Sequence, residues 1–300
     1  MSNVIYAHRI TRHAYAKINL YLDILSRRED GFHDLLTVMH SLSLHDDVSV
    51  ELFPARESVI SLRVYGARLP TDEKNLAYRA ADAFLTKIGA TARAHINIRK
   101  KLPIAAGLAG GSSDAAATLR AIAELFGNPL SEEEMLSLGA SLGSDVPYCM
   151  VGGTRVCRSR GEDMQPLACA APLYAVIATA RGERVSTPRA FSDADAYYRN
   201  FDGSVPHGAD FATLCDALEN GRLAAASHAL YNAFEPVVLP ACPGAKALIA
   251  RMKELGAYAA HMSGSGPSVF GLFETKDAAL AAARAIGTFA HVATSANMAE

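Results

Sequence analysis

Between Pro103 and Ala117 the chain reads Pro-Ile-Ala-Ala-Gly-Leu-Ala-Gly-Gly-Ser-Ser-Asp-Ala-Ala-Ala, a small-residue turn running into a helix. Gly107, Gly110 and Gly111 carry no Cβ, so the backbone there can take positive φ and come close to a ligand. Ser112, Ser113 and Asp114 are N-cap residue types at the point where the helix should begin. Ala115, Leu119, Ile122 and Phe126 then form an apolar stripe at helical spacing, which Gly127-Asn128-Pro129 should end. A helix N-terminus has unpaired N–H groups and a partial positive charge, so the chemistry open to this stretch is phosphate binding. Lys100 and Lys101, just upstream, can add counter-charge. No Gly-Lys-Ser/Thr closes the loop, so it is not a Walker A sequence, and Gly107-x-x-Gly110-Gly111 is not the dinucleotide fingerprint. An ordinary glycine-rich turn ahead of a Ser-capped helix would use the same letters.

Three other positions carry chemistry-bearing types. From Lys17 to Asp23 polar and apolar residues alternate, the pattern of a strand. Ile18, Leu20 and Leu22 take one side. Lys17, Asn19, Tyr21 and Asp23 take the other, where Lys17 and Asn19 can reach into a cleft or simply line a wet outer face. Asp145 sits in a break bounded by Gly143 and Pro147, a place for a held carboxylate or for a plain turn aspartate. His33 follows the charged turn at 27–32, whose Asp30-Gly31 is a turn dipeptide.

The elements that must position these residues are mixed. Strands are expected at 48–52, 59–65 and 94–99, the last feeding the glycine loop. A helix is expected over 76–88, with Leu76, Ala80, Phe84 and Ile88 on one face. Ser131 and Glu134 form a capping box for a helix ending near Gly143. Pro147 should disfavour helix at Val146, and 148–158, with Gly152-Gly153 inside, reads as a strand pair or bulged strand. Beyond Pro172 come a strand at 173–179, helices at 187–191, 211–218, 222–230, 243–255 and 278–286, and strands at 258–262, 268–273 and 289–294. The cluster Gly161, Pro166 and Pro172 places a domain boundary near 165, giving 1–165 and 166–300.

Composition narrows the classes. Half of the 300 residues are apolar, 20% are charged and the net charge is −2, with Lys and Arg scattered. That is a globular composition without a broad nucleic-acid face. No apolar h-region opens the sequence, and the longest mostly apolar run, 167–180, is too short to span a bilayer and contains Pro172. A cytoplasmic protein, binding neither nucleic acid nor membrane and either monomeric or weakly dimeric, is expected. The five cysteines are odd in number and widely spaced, without a CxxC pair, which argues against a zinc knuckle or redox pair.

Taken together, Ala16-Lys17-Ile18-Asn19, the stretch 103–117 and Ser263-Gly264-Ser265-Gly266-Pro267 resemble the three ordered motifs of the GHMP small-molecule kinases. Gly31-Phe32-His33, Gly143-Ser144-Asp145-Val146-Pro147 and Thr187-Pro188 with Phe191 are similar to the branch of that superfamily acting in the non-mevalonate isoprenoid pathway. The loop departs from the pattern in carrying Ala105, Ala106 and Ala109 at positions often held by Gly, and Phe32 stands where Tyr is usual. The resemblance implies an α+β fold of two GHMP-kinase domains: an N-terminal ATP-binding domain with a left-handed β-α-β unit, a C-terminal ferredoxin-like, substrate-binding domain, and the active site in the cleft between them. It implies ATP and Mg²⁺, and phosphorylation of a hydroxyl of a methylerythritol that carries a cytidine diphosphate. By family position Lys17 and Asp145 are catalytic. Pro103, Ala105, Ala106, Gly107, Leu108, Ala109, Gly110, Gly111, Ser112, Ser113, Asn75 and Lys100 bind the nucleotide. Asn19, Phe32, His33, Thr187, Pro188 and Phe191 bind the acceptor. Metal ligands are not implied for particular residues. The alternatives are another GHMP substrate (mevalonate, homoserine or a sugar) and a nucleotide-binding regulator without turnover.

Overall fold

The computed structural model describes residues 9–104, 106–198 and 210–296; Ala105, one of the expected nucleotide-binding positions, lies outside them. The chain forms two compact units that interleave in sequence.

The first unit contains residues 9–16, 45–102 and 109–151. Its sheet is built from the start of β1 (Arg9–Arg27), the end of β2 (His33–Pro54), β3 (Val59–Tyr65) and β4 (Ala92–Arg99), in the order β3-β4-β2-β1. β2 and β4 are antiparallel, with Asp47 opposite Arg99 and Val48 opposite Ile98. β3 and β4 are parallel and joined through α1 (Leu76–Ile88), a β-α-β unit. Helices α2 (Gly110–Leu125), α3 (Glu132–Leu142) and α4 (Val146–Val151) complete it. Alanines from α1 and α2, among them Ala77, Ala80, Ala116 and Ala121, are fully or nearly fully buried beside Phe84, Leu119 and Ile96, so the two helices pack with little side chain between them.

The second unit contains residues 17–44, 103–108 and 152 onward. Here the first part of β2 pairs with β5 (Thr154–Ser159), and β5 with β6 (Asp163–Pro166). β7 (Tyr174–Ala178), α5 (Thr187–Tyr197) and α6 (Phe211–Glu219) follow. Next comes β8 (Tyr231–Asn232), which runs parallel to β1 at Tyr21 and Leu22. After α7 (Glu235–Val238), the elements α8 (Pro243–Glu254), β9 (Ala259–Met262), β10 (Val269–Phe273), α9 (Lys276–Ile286) and β11 (Ala290–Thr294) close the chain. The sheet β11-β7-β10-β9 is antiparallel throughout. Its strand order is that of a ferredoxin-like β-α-β-β-α-β layer.

Four local expectations are corrected. The face of β1 bearing Lys17, Asn19, Tyr21 and Asp23 is not wet: all four are at most 5% exposed, because β1 is covered on both sides. The loop helix begins at Gly110, not at the serines, and its N-cap is Ala109 at φ 59°, with no side-chain cap bond. Of the three loop glycines only Gly107 has positive φ. Pro147 lies in the first turn of α4 rather than after a break, where a missing N–H costs nothing; the supposed strand pair is therefore a helical turn, then Gly152 and Gly153 at positive φ, then β5. Finally, 222–230 is turns and a single 3₁₀ turn at Ser227–Ala229.

Candidate functional site

In the second unit three segments distant in sequence meet. The amide of Lys17 donates to Leu108 O at 3.2 Å. The hydroxyl of Ser263 donates to Gly107 O at 3.0 Å, and the amide of Ser268 to Ala106 O. Gly107 is required for this approach: at φ +76°, a Cβ there would stand 1.9 Å from the carbonyl oxygen of Ser263. The Ser263–Pro267 turn is held in turn by the Asn232 side chain, which donates to Met262 O at 2.7 Å and Gly264 O at 2.9 Å. A Cβ on Gly264 would lie 3.3 Å from Lys17 Nζ, which puts the ammonium against this turn. Lys17 Nζ donates to Asn19 Oδ1 at 2.7 Å, Asn19 Nδ2 to Thr37 Oγ1 at 2.8 Å, and Thr37 to Tyr21 O at 2.6 Å. This relay through Asn19 and Thr37, both buried, fixes where the Lys17 charge sits.

The same unit holds His33 at 7% exposure, stacked on Phe191 of α5 with ring centres 4.6 Å apart and planes 16° from parallel. His33 Nε2 lies 2.7 Å from Asp195 Oδ1. A carboxylate only accepts, so Nε2 carries the proton and in the neutral ring Nδ1 is the acceptor. Phe191 meets Phe234 edge-on. Phe32 is half-exposed and carries the Arg160 guanidinium 4.4 Å above its ring. Thr187 opens α5 and shares a hydrogen bond with Ser265 at 2.9 Å, and Pro188 occupies the first turn of α5.

In the first unit the N-terminus of α2 is left open. Asn75 and Ser131 close α1 and α3 with side-chain oxygens, but Ala109 offers α2 no such acceptor. The first intrahelical bond there is Ser113 N–H to Ala109 O, so the amides of Gly110, Gly111 and Ser112 have no acceptor within the helix. Ser113 Oγ donates to Tyr15 O at 2.6 Å. Beneath this turn lies a buried charge cluster: Lys100 Nζ contacts Asp46 Oδ2 and, at 2.8 Å, Asp114 Oδ2. Asp46 Oδ1 also accepts the amides of Lys101 and Leu102. Burial alone would lower the Lys100 pKa, but the attraction of Asp114 and Asp46 outweighs it and raises it. Two carboxylates share one ammonium, and burial, with the charge of Asp46 adding to it, pushes Asp114 up to about 7 against the pull of Lys100. Asp145 immediately precedes α4, and its carbonyl accepts Cys149 N–H at 3.0 Å. Lys101 pairs with Asp47 at the surface.

The structure thus joins Lys17, Asn19, Gly107, Leu108 and the Ser263 turn, and separately His33 with Phe191. Several residues in these networks were not singled out from sequence. In the β2–β4 register Asp47 faces Arg99, which brings Asp46 level with Lys100, but no pattern in the sequence shows that pairing. Asp195 lies one helical turn beyond Phe191, a spacing that shares a face. Thr37 and Asn232 left no local signal. Among the described residues no helix is long and apolar enough to cross a membrane.

Comparison with known proteins agrees in both units. The model of the GHMP kinases N terminal domain matches residues 75–153, and that of GHMP kinases C terminal matches 213–291. A 4-diphosphocytidyl-2-C-methyl-D-erythritol kinase of Pelotomaculum thermopropionicum is 41% identical over 263 residues, 88% of either chain. That of Caldicellulosiruptor saccharolyticus is 38% identical over 92% of either chain. A crystal structure of 4-(cytidine 5'-diphospho)-2C-methyl-D-erythritol kinase superposes with a TM-score of 0.79 at 33% identity, covering 96% of this chain and all of that one. The fold, the open helix turn and similarity along nearly the full length place this chain among the GHMP kinases, in the family of the 4-diphosphocytidyl-2-C-methyl-D-erythritol kinases.

Proposed function

We propose that this chain transfers the γ-phosphoryl group of ATP to the 2-hydroxyl of 4-diphosphocytidyl-2-C-methyl-D-erythritol. The observation that carries the phosphoryl-transfer reading is the convergence of Lys17, Gly107–Leu108 and Ser263–Gly264, next in sequence to a helix whose first amides lack a cap. Phosphoryl transfer asks a protein for positioning and charge stabilisation rather than covalent chemistry. The amides of Gly110, Gly111 and Ser112 suit phosphate oxygens. The Lys17 ammonium, oriented by Asn19 and Thr37, stabilises charge on the transferring group. Asp145 accepts the proton of the attacking hydroxyl. Asn75 and Lys100 belong to the nucleotide side by family position.

Mg²⁺ is taken up largely by phosphate oxygens and needs few protein ligands. The Ser113 hydroxyl, which donates to Tyr15 O and contacts Cys149 Sγ at 3.3 Å, has one lone pair left that would suit such an ion; when bound, the ion would neutralise phosphate charge. For the acceptor, His33 with Nε2–H held by Asp195 presents Nδ1 as an acceptor, which suits the amino edge of cytosine and not the carbonyl edge of uracil. Five free thiols fit a reducing, cytosolic setting. Residues 1–165 then supply the nucleotide side together with His33 for the acceptor, and 166–300 supply further residues of the acceptor side.

The test is ADP release with Mg²⁺–ATP and the cytidyl substrate, against mevalonate and homoserine as competing acceptors. Turnover with the cytidyl substrate alone is expected. Asp145→Asn should fold as the wild type does and lose about 10²–10⁴ in kcat, the range of a general base. Near wild-type turnover in a folded Asp145→Asn protein removes Asp145 from that role.

A further inference from the structure

His13 on β1 and His45 and Asp47 on β2 come from neighbouring strands of the first unit's sheet. Residues 45 and 47 share a face because side chains on a strand alternate with period two. The two imidazole rings lie with centres 3.9 Å apart, and both turn a nitrogen toward one atom. His13 Nδ1 is 2.9 Å and His45 Nε2 is 3.3 Å from Asp47 Oδ1. One ligand atom from each of the three residues falls within 4.8 Å of the others. The second carboxylate oxygen, Oδ2, meets Lys101 Nζ at 2.8 Å. The ring of Tyr15 stands edge-on to both imidazoles and walls one side.

Two imidazole nitrogens and one carboxylate oxygen are the donor set of zinc sites that keep a fourth position for water. Nitrogen donors favour such ions over Mg²⁺, which takes oxygen. The division of labour on Asp47 fits as well: Oδ1 faces the imidazoles while Lys101 holds Oδ2, the kind of outer partner that orients a ligating carboxylate. The side chains are 42%, 25% and 25% exposed, so an ion can reach them from solvent. We propose that His13, His45 and Asp47 form a binding site for Zn²⁺ or a similar divalent transition ion, distinct from the residues assigned to phosphoryl transfer. An ion there would tie β1 to β2 beside Asp46, which anchors the amides of Lys101 and Leu102 ahead of the glycine loop.

The experiment is calorimetric titration of chelator-treated full-length protein with Zn²⁺, with Mg²⁺ as the control ion and Co²⁺ as a spectroscopic stand-in. About one Zn²⁺ per chain is expected, with no comparable Mg²⁺ binding at this site, and Co²⁺ should give the intense visible bands of tetrahedral coordination. In His13→Ala/His45→Ala the Zn²⁺ affinity should fall by at least about tenfold and the Co²⁺ bands should vanish, with the metal-free melting curve unchanged. His13→Gln, at the more exposed position, gives the same comparison if the double variant does not fold. Unchanged affinity and Co²⁺ spectrum in the variants overturns the proposal, as does a wild type that takes up no Zn²⁺.

Discussion

At Asp114 one carboxylate oxygen meets Lys100, while the other is buried without a hydrogen-bond partner. Burial first, and the neighbouring charge of Asp46 after it, favour the protonated form of Asp114, against the pull of the single Lys100 ammonium. The folded pKa of Asp114, about 7, lies above the unfolded value of 3.8. A raised acid contributes stability that is complete below the unfolded pKa and lost as pH rises through the folded one. The stability of the protein should therefore fall between about pH 4 and 8 through this group, by at most about 1.4 kcal/mol per pH unit for one proton. Asp114→Asn keeps an acceptor for Lys100 and discards the charge. Melting curves across that range should show the variant less pH-dependent and, at pH 8, more stable than the wild type. An unchanged slope would mean that Asp114 stays ionised.

At the scale of elements, the glycine stretch divides into two kinds of position. Gly107 is fixed by protein, at φ +76° against the Ser263 carbonyl, whereas a Cβ on Gly110 would meet only Lys100 Nζ at 3.4 Å and Leu102 at 3.7 Å. Gly107→Ala should cost about 1–3 kcal/mol from backbone strain alone, before the clash. Gly110→Ala should leave the melting temperature within a few degrees while weakening ATP binding. Equal losses of stability in both variants would contradict this reading. The contrast also marks what the sequence made legible. Periodicity placed α1, α2, α3, α8, α9 and most strands, because each depends on its own burial pattern or cap. The start of α2 was misplaced because serines normally cap helices, whereas here the polar acceptor is missing and the backbone of Ala109 turns left-handed. α4 was missed because Pro147 punctuates a sequence equally well at a break and inside a first turn. The motifs around Lys17, Gly107 and Ser263 were visible one by one, but the buried partners Asp46, Thr37 and Asn232 were not, since a polar residue in a strand shows nothing of what stands opposite it.

Across the whole molecule, the division in space is not a single cut in sequence. Leu22 and Ile24 of β1 are buried in the same core as Val176, Phe234, Met262 and Phe273. A fragment comprising 166–300 would expose that apolar surface and lose the β1 partner of β8. We expect the isolated fragment to lack a cooperative thermal transition by circular dichroism; a sharp melt would show that 17–44 is dispensable for folding. The bond from Ser263 to Gly107 spans 156 residues, and this has a meaning in time as well as in space. During synthesis, at about 5–20 residues per second, the loop emerges on the order of 10–30 s before the turn that shapes it. Through that interval the nascent chain carries the letters of a phosphate cradle without its form. A message truncated between codons 145 and 263 would yield a polypeptide with Lys17 and Asp145 both present and the loop unformed.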